Sequence, residues 1–328
     1  MTHFLVHAKF YLVMKKLFLL ILAFFLSLPV FCAGKEKLTV GLLNGPSSIP
    51  AAYLIENTSD YEFQIFSGAD LEIPKLLKGE IDLAVLPPNA AAKLWNKNGK
   101  NVVVLAVIGE GNISLFTTDP DYKNLESLKG KTVYCAGRGA TPDYMFRYIL
   151  EKKGVKVSEN GPSPDAVFLD FQVPNAEIAG TLISGKADYI LVPEPFGTVA
   201  LMKGKSFGVK KVCNLSDEYD SKNYPLTVLV ANKKSLDSKK TAVKKYLKDY
   251  EKAVTWTLEN ATSAGALVEK HTLGLTASIT ASSIPCGNYV FIPADQARPE
   301  MEKLLNIFFE RDPDSIGGKL PGEDFYQK

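Results

Sequence analysis

The chain has 328 residues, 46 % of them hydrophobic and 23 % charged, enough for two compact domains beyond a leader segment. Lys and Arg number 38 against 36 Asp and Glu, a formal charge of +2 with both signs interspersed, which excludes a polybasic nucleic-acid binder. Of its 3 histidines, His3 and His7 precede the body of the chain and leave His271 alone there, which excludes a histidine triad or a His-rich metal site.

Lys15 and Lys16 lead into LFLLILAFFLSLPVF, an apolar run of signal-peptide length and shorter than the roughly 20 residues that a spanning helix prefers. Residues 1–33 are therefore expected to be a signal peptide, with Met14 a better start than Met1. Leu28 to Cys32 resembles a bacterial lipobox that would lipidate Cys32, although Phe31 stands where a small residue is expected; ordinary cleavage between Cys32 and Gly34 is the other reading. Cys135, Cys213 and Cys286 are widely separated with no CxxC pair. Export permits one disulfide among them; burial as small apolar residues is the alternative.

Lys37–Leu43 reads as an apolar strand, followed by the turn Asn44-Gly45-Pro46-Ser47-Ser48, whose serines are natural helix N-caps, and a helix over Ala51–Glu56. Tyr61–Phe66 alternates as a strand, Asp70–Lys78 is a short helix stopped by Gly79, and Ile81–Leu86 is a continuous apolar run suited to a parallel strand. A helix over Asn89–Asn96 and the strand NVVVLAVIG follow. ISLFTTD, within Asn112–Asp119, has strand composition. KTVYCAG then begins a second series: a helix over Asp143–Lys153, the strand AVFLDF, a helix over Asn175–Ser184 and the strand ADYILVPEPF. Beyond YPLTVLVANKK, residues 237–328 read as mostly helical, and Val243, Leu247, Tyr250, Val254 and Leu258 form a core-facing stripe at helical spacing.

The second series repeats the first. LLKGEIDLAVLPP and LISGKADYILVPE align Gly79 with Gly185, Asp82 with Asp188 and Pro87 with Pro193 at a constant offset of 106. TVGLLNGPSS and TVYCAGRGAT echo one another in the same order. Two related α/β lobes follow, the first from 37–114 plus 228–328 and the second from 115–227. In such sheets ligands sit beyond the carboxyl ends of parallel strands, where loops open helices and present free N–H groups.

SLKGKTVYCAGRGATPDYMFRYILEKKG, GKADYILVPEPFGTVAL and the ending SIGGKLPGEDFYQK resemble solute-binding proteins of ABC importers, in the NMT1/THI5-like branch (nitrate, sulfonate, taurine and thiamine precursors). The resemblance implies a two-lobed type II periplasmic binding fold, each lobe a mainly parallel sheet flanked by helices, which closes on a small anionic or heteroaromatic solute. It also implies delivery to a permease and its ATPase, a monomer at the outer face of the cytoplasmic membrane, no cofactor and no chemistry on the solute. A two-lobed enzyme on a small aromatic or anionic metabolite is the alternative. Yeast pyrimidine synthases resemble the fold too, but their Cys-rich iron motif has no counterpart here.

The cleft loops supply the candidate solute ligands. Arg138, between Gly137 and Gly139 and followed by Ala140 and Thr141, joins a guanidinium to helix N–H donors, which suits a carboxylate, sulfonate or phosphate. Glu194 stands where the first lobe has Pro88, so its carboxylate belongs to one lobe only and either meets the solute or fixes the turn. Asn44, Ser47, Ser48 and Asn89 are the first lobe's polar contacts, Gln172 and Asn175 further ones from the second, and Tyr144 and Phe196 offer ring faces unless they are core.

Overall fold

The computed structural model describes residues 37–220 and 223–327. The expectations on the signal peptide, Cys32, Met14, His3 and His7 lie outside the described residues.

The chain opens with β1 (Leu38–Leu43), α1 (Ala51–Asn57), β2 (Tyr61–Phe66), α2 (Ala69–Lys78), β3 (Leu83–Leu86), α3 (Pro88–Lys97) and β4 (Val102–Glu110). It continues through β5 (Ile113–Thr117), β6 (Thr132–Cys135), α4 (Thr141–Lys152), β7 (Val157–Ser158), β8 (Val167–Asp170), α5 (Asn175–Ile183), β9 (Tyr189–Pro193), α6 (Phe196–Gly204), β10 (Lys210–Asn214) and α7 (Leu215–Glu218). It closes with β11 (Pro225–Asn232), α8 (Lys233–Ser238), α9 (Lys240–Glu259), α10 (Ala261–Lys270), α11 (Ala277–Ser283), β12 (Tyr289–Pro293) and α12 (Ala294–Arg311).

Two six-stranded sheets result, ordered β12-β4-β11-β3-β1-β2 and β10-β5-β9-β6-β8-β7. The repeat is visible as β2-β1-β3 and β8-β6-β9, each a parallel trio. Gly79 and Gly185 end α2 and α5 in the left-handed conformation, with φ of 74° and 71°, which a residue without Cβ adopts freely. The sheets are mixed, not mainly parallel throughout: β11 runs antiparallel to β3 and β4, and β5 antiparallel to β9 and β10. These are the strands by which the chain passes between sheets, and each must reverse direction to leave its trio.

The passages are tied together. Gly111 N donates to Tyr224 O (2.9 Å), and Ser216 Oγ donates to Gly111 O (3.0 Å). A Cβ on Gly111 would stand 2.5 Å from the Tyr224 ring, so only glycine fits. Asn112 Nδ2 donates to Gly287 O (2.9 Å), fastening the same point to the approach to β12.

Two features of the tail, and the burial of the cysteines, differ from the sequence reading. β12 pairs with β4 at the edge of the first sheet, so the tail is not helical throughout. On α9, Leu258 is 48 % exposed, while Tyr246, Ala253 and Thr257 are buried with Val243, Tyr250 and Val254. The buried stripe continues to Thr257, which is fully buried, and leaves Leu258 on the other face. The cysteines are free thiols: Cys135 is buried, Cys213 half-buried and Cys286 exposed, so burial accounts for only the first. His271, the C-cap of α10, holds Glu56 Oε2 at 2.8 Å from its Nε2.

Candidate functional site

The carboxyl ends of the parallel trios carry five loops: Asn44–Ser48 after β1, Pro87–Asn89 after β3, Gly137–Ala140 after β6, Phe171–Pro174 after β8 and Glu194–Pro195 after β9. Two of these loops meet across the lobes, where Asn89 Nδ2 donates to Gly139 O at 3.5 Å. Asn89 opens α3 and Gly139 precedes α4, so the N-termini of two helices converge. Their first-turn N–H groups lack intrahelical partners, and the convergence is a donor-rich, electropositive spot.

Oxygen atoms without partners mark the same place. Asn89 Oδ1 and Thr141 Oγ1 are buried and accept or donate no hydrogen bond, and so is Asn112 Oδ1 at the passage between sheets. Buried polar atoms are almost always satisfied, and the two beside the Asn89–Gly139 contact are open to a further polar partner. Sequence reasoning missed Asn112; its signal was the Gly-Asn step between two apolar strands.

Asp143 tempers the positive spot. Its Oδ2 accepts from Gly139 N (2.9 Å), so that donor is already occupied, and its Oδ1 pairs with Arg147 Nε (2.5 Å). Arg138 is exposed, its guanidinium 5.4 Å from the Phe171 ring centroid, and it has no carboxylate partner among the described residues. Stacking holds the arginine over the loop while leaving its N–H fork open.

Glu194 belongs to the turn and to the cleft together. Its Oε2 accepts from Thr198 N (3.0 Å) and Thr198 Oγ1 (2.7 Å), closing the first turn of α6 beyond a cis Glu194–Pro195 bond. Burial pushes its carboxyl pKa up against these bonds and against the charge of Lys211, which forms no ion pair with it among the described residues. Its backbone N donates to Asn112 O (3.2 Å), which ties the turn to the passage between the sheets. Tyr289 in β12 has its pKa raised by burial, by Tyr250 and by Glu194, which puts the glutamate within electrostatic reach of the first lobe.

Other expected ligands have structural occupations. Ser47 and Ser48 are not N-caps: their hydroxyls donate backward, to Leu43 O (3.0 Å) and Gly45 O (2.7 Å), within a 3₁₀ turn that leads to α1. Tyr144 faces α12, its ring 5.0 Å from that of Phe308 and its hydroxyl donating to Asp312 Oδ2 (2.9 Å), so it gives no free face to a solute. Phe196 packs half-buried against the second sheet's core. Asn44, Gln172 and Asn175 are exposed at loop rims. A cavity of about 810 Å³ lies instead along the seam of α4 and α12; its Arg147 pairs with Asp143 and Glu159, and its Arg311 with Glu151, so both of its arginines are already engaged.

Residues 62–264 match the family described as NMT1/THI5 like. The chain belongs to the NMT1/THI5-like family. One relative is the putative binding protein YtlA of Bacillus subtilis (strain 168), 23 % identical over 204 residues, 61 % of this chain and 58 % of YtlA, so the match spans well under two thirds of that protein. Among solved structures, an ABC transporter protein from Parabacteroides distasonis superposes with a TM-score of 0.75 at 23 % identity, over 90 % of this chain and 99 % of that one. The periplasmic aliphatic sulphonate binding protein SsuA from Escherichia coli gives 0.69 at 17 % identity, over 90 % and 93 %. The periplasmic nitrate-binding protein NrtA from Synechocystis PCC 6803 gives 0.61 at 15 %, over 85 % and 84 %. At such identities the likeness is one of fold, and this NMT1/THI5-like chain has the two-lobed periplasmic binding fold.

Proposed function

We propose that the protein is an exported solute receptor of an ABC importer, which closes its lobes on a small molecule and passes it unchanged to a permease driven by an ATPase. The contact from Asn89 to Gly139, flanked by the unpartnered Asn89 Oδ1 and Thr141 Oγ1, is the observation that carries this reading. A solute between the two helix N-termini would satisfy both oxygens and join the lobes, which is the differential contact that hinge closure requires.

The acceptors favour a heteroaromatic solute with N–H donors. Glu194, which meets the charge of Lys211 without an ion pair, and the side-chain oxygens of Asn112 and Asn89 call for hydrogen-bond donors. Arg138 and the free helix N–H groups supply the second reading, a simple oxyanion, and also suit a heteroaromatic that carries an acidic substituent. Native mass spectrometry of the purified protein, followed by thermal shift with the released compound, tests the proposal. A solute held and returned intact should stabilise the fold by about 2.7 kcal/mol at a hundred times Kd. Turnover would establish the enzymatic alternative, and Glu194→Gln with undiminished affinity would remove the N–H donor reading.

A further inference from the structure

The helix after the third repeated strand is covered in one lobe and bare in the other. In the first lobe the end of α3 lies beneath the chain's C-terminal segment: Trp95 is 2 % exposed with its ring 5.7 Å from that of Phe325. Asn96 Nδ2 donates to Ile316 O (2.7 Å) and Lys319 O (2.6 Å). At the offset of 106, Trp95 corresponds to Leu201 and Asn96 to Met202. There Leu201 is 37 %, Met202 47 % and nearby Phe207 59 % exposed.

The chain around these three side chains is basic. The 22 residues from Pro195 to Ser216 contain 4 lysines, Lys203, Lys205, Lys210 and Lys211, and no Asp or Glu. None of the four has a carboxylate partner among the described residues. Lysines on β10 deter a foreign strand from adding to that edge, which accounts for Lys210 and Lys211. It does not account for Lys203 and Lys205, or for a phenylalanine left in water beside them.

The geometry points to a docking surface at the α6–β10 corner for an acidic segment of a partner protein that carries an apolar anchor. The first lobe shows what such a cover looks like: its own C-terminal segment brings Asp312, Asp314, Glu323 and Asp324 together with Ile316 and Phe325, both of which are buried. Apolar side chains of the visitor would shield Leu201, Met202 and Phe207, and its carboxylates would meet the unpaired lysines. Leu201, Met202 and Phe207 lie at the far end of α6 from Glu194, and only Lys211 of the four lysines acts electrostatically on that carboxylate.

The test uses the full chain and a short fluorescent peptide of Asp and Glu with one Phe and one Leu, read by anisotropy. Its controls are a peptide with Lys in place of the acids and vesicles of phosphatidylglycerol. The acidic peptide should bind, and binding should weaken at least tenfold between about 0.05 and 0.5 M NaCl, as screening shortens the reach of the lysines. Lys203→Glu with Lys205→Glu should cost about tenfold, and Phe207→Ser roughly fivefold as the loss of a central anchor, with the melting temperature unchanged in both. No peptide binding, equal binding of the basic peptide, insensitivity to these substitutions, or binding of the vesicles in place of the peptide would each overturn the proposal.

Discussion

The two lobes share a backbone plan and differ in what they bury on it. In the first, Glu72 of α2 sits fully buried between β1 and β3, its Oε1 accepting from Val85 N (3.2 Å) and its Oε2 without a partner. The counterpart at the same offset in the second lobe is Ile178, fully buried in an apolar cluster. Glu72 fits because Gly41 lies beneath it; a Cβ there would stand 2.6 Å from its Oε1. The aligned position in β6 is Tyr134, which packs against the second core. The first lobe thus sets Gly with Glu where the second sets Tyr with Ile, a small residue beside the long side chain as a close-packed interior demands. A repeated plan therefore constrains strand, stop and turn, while each interior is solved separately.

The comparison can be broken most forcefully at the covered helix. Trp95→Ala should cost about 3–5 kcal/mol by emptying a full aromatic site, whereas Leu201→Ala should stay within roughly 0.5 kcal/mol. Urea denaturation of both variants reads the difference, and equal losses would mean that the two helix ends are not packed differently.

Glu72 gives the next largest effect, through pH. Burial lifts its pKa from 4.5 to about 7, opposed only by the bond from Val85. The native state therefore holds this proton more tightly than the unfolded chain does. The associated stability is complete below pH 4.5 and is lost as pH rises to 7. Glu72→Gln has no such proton to lose. It should match the parent near pH 4.5 and exceed it at pH 8 by about 3 kcal/mol. Unfolding free energies at both pH values decide it, and a gap that does not change with pH would show that Glu72 is ionised or solvated.

Tyr144→Phe is the smallest test and sharpens the role of α4. Removing the hydroxyl that reaches Asp312 should cost about 1 kcal/mol, the net worth of one hydrogen bond. Tyr134→Phe, whose hydroxyl has no hydrogen-bond partner among the described residues, should cost less. If both cost the same, the α4–α12 contact contributes nothing specific.

These differences also show what could be read in the sequence. The repeat, the glycine stops and the parallel trios follow from local signals: apolar runs, left-handed glycines and helix periodicity. Polar loops at strand ends marked the cleft, and Arg138, Asn89, Thr141 and Glu194 came from that logic. What stayed hidden depends on partners remote in the chain. Tyr144 looked like a cleft aromatic because Asp312, 168 residues on, cannot be inferred from its neighbours. Ser47 and Ser48 matched a cap signature, yet the 3₁₀ turn placed nearer acceptors within reach. Short β12 gained its partner only when β4 came alongside, and Leu258 fell outside the core because packing, not periodicity, chooses how far a buried stripe extends.

The stitched passage at Gly111 has a consequence for lineage. β4 and β11 are antiparallel neighbours, and Gly111 N lies one hydrogen bond, 2.9 Å, from Tyr224 O. If everything between those two residues were removed, β4 and β11 would remain as the arms of an ordinary β-hairpin. The second lobe is thus grafted onto the tip of a hairpin in the first, entering and leaving at one point. Taking the second lobe out at that point would leave the strand order of the host sheet unchanged.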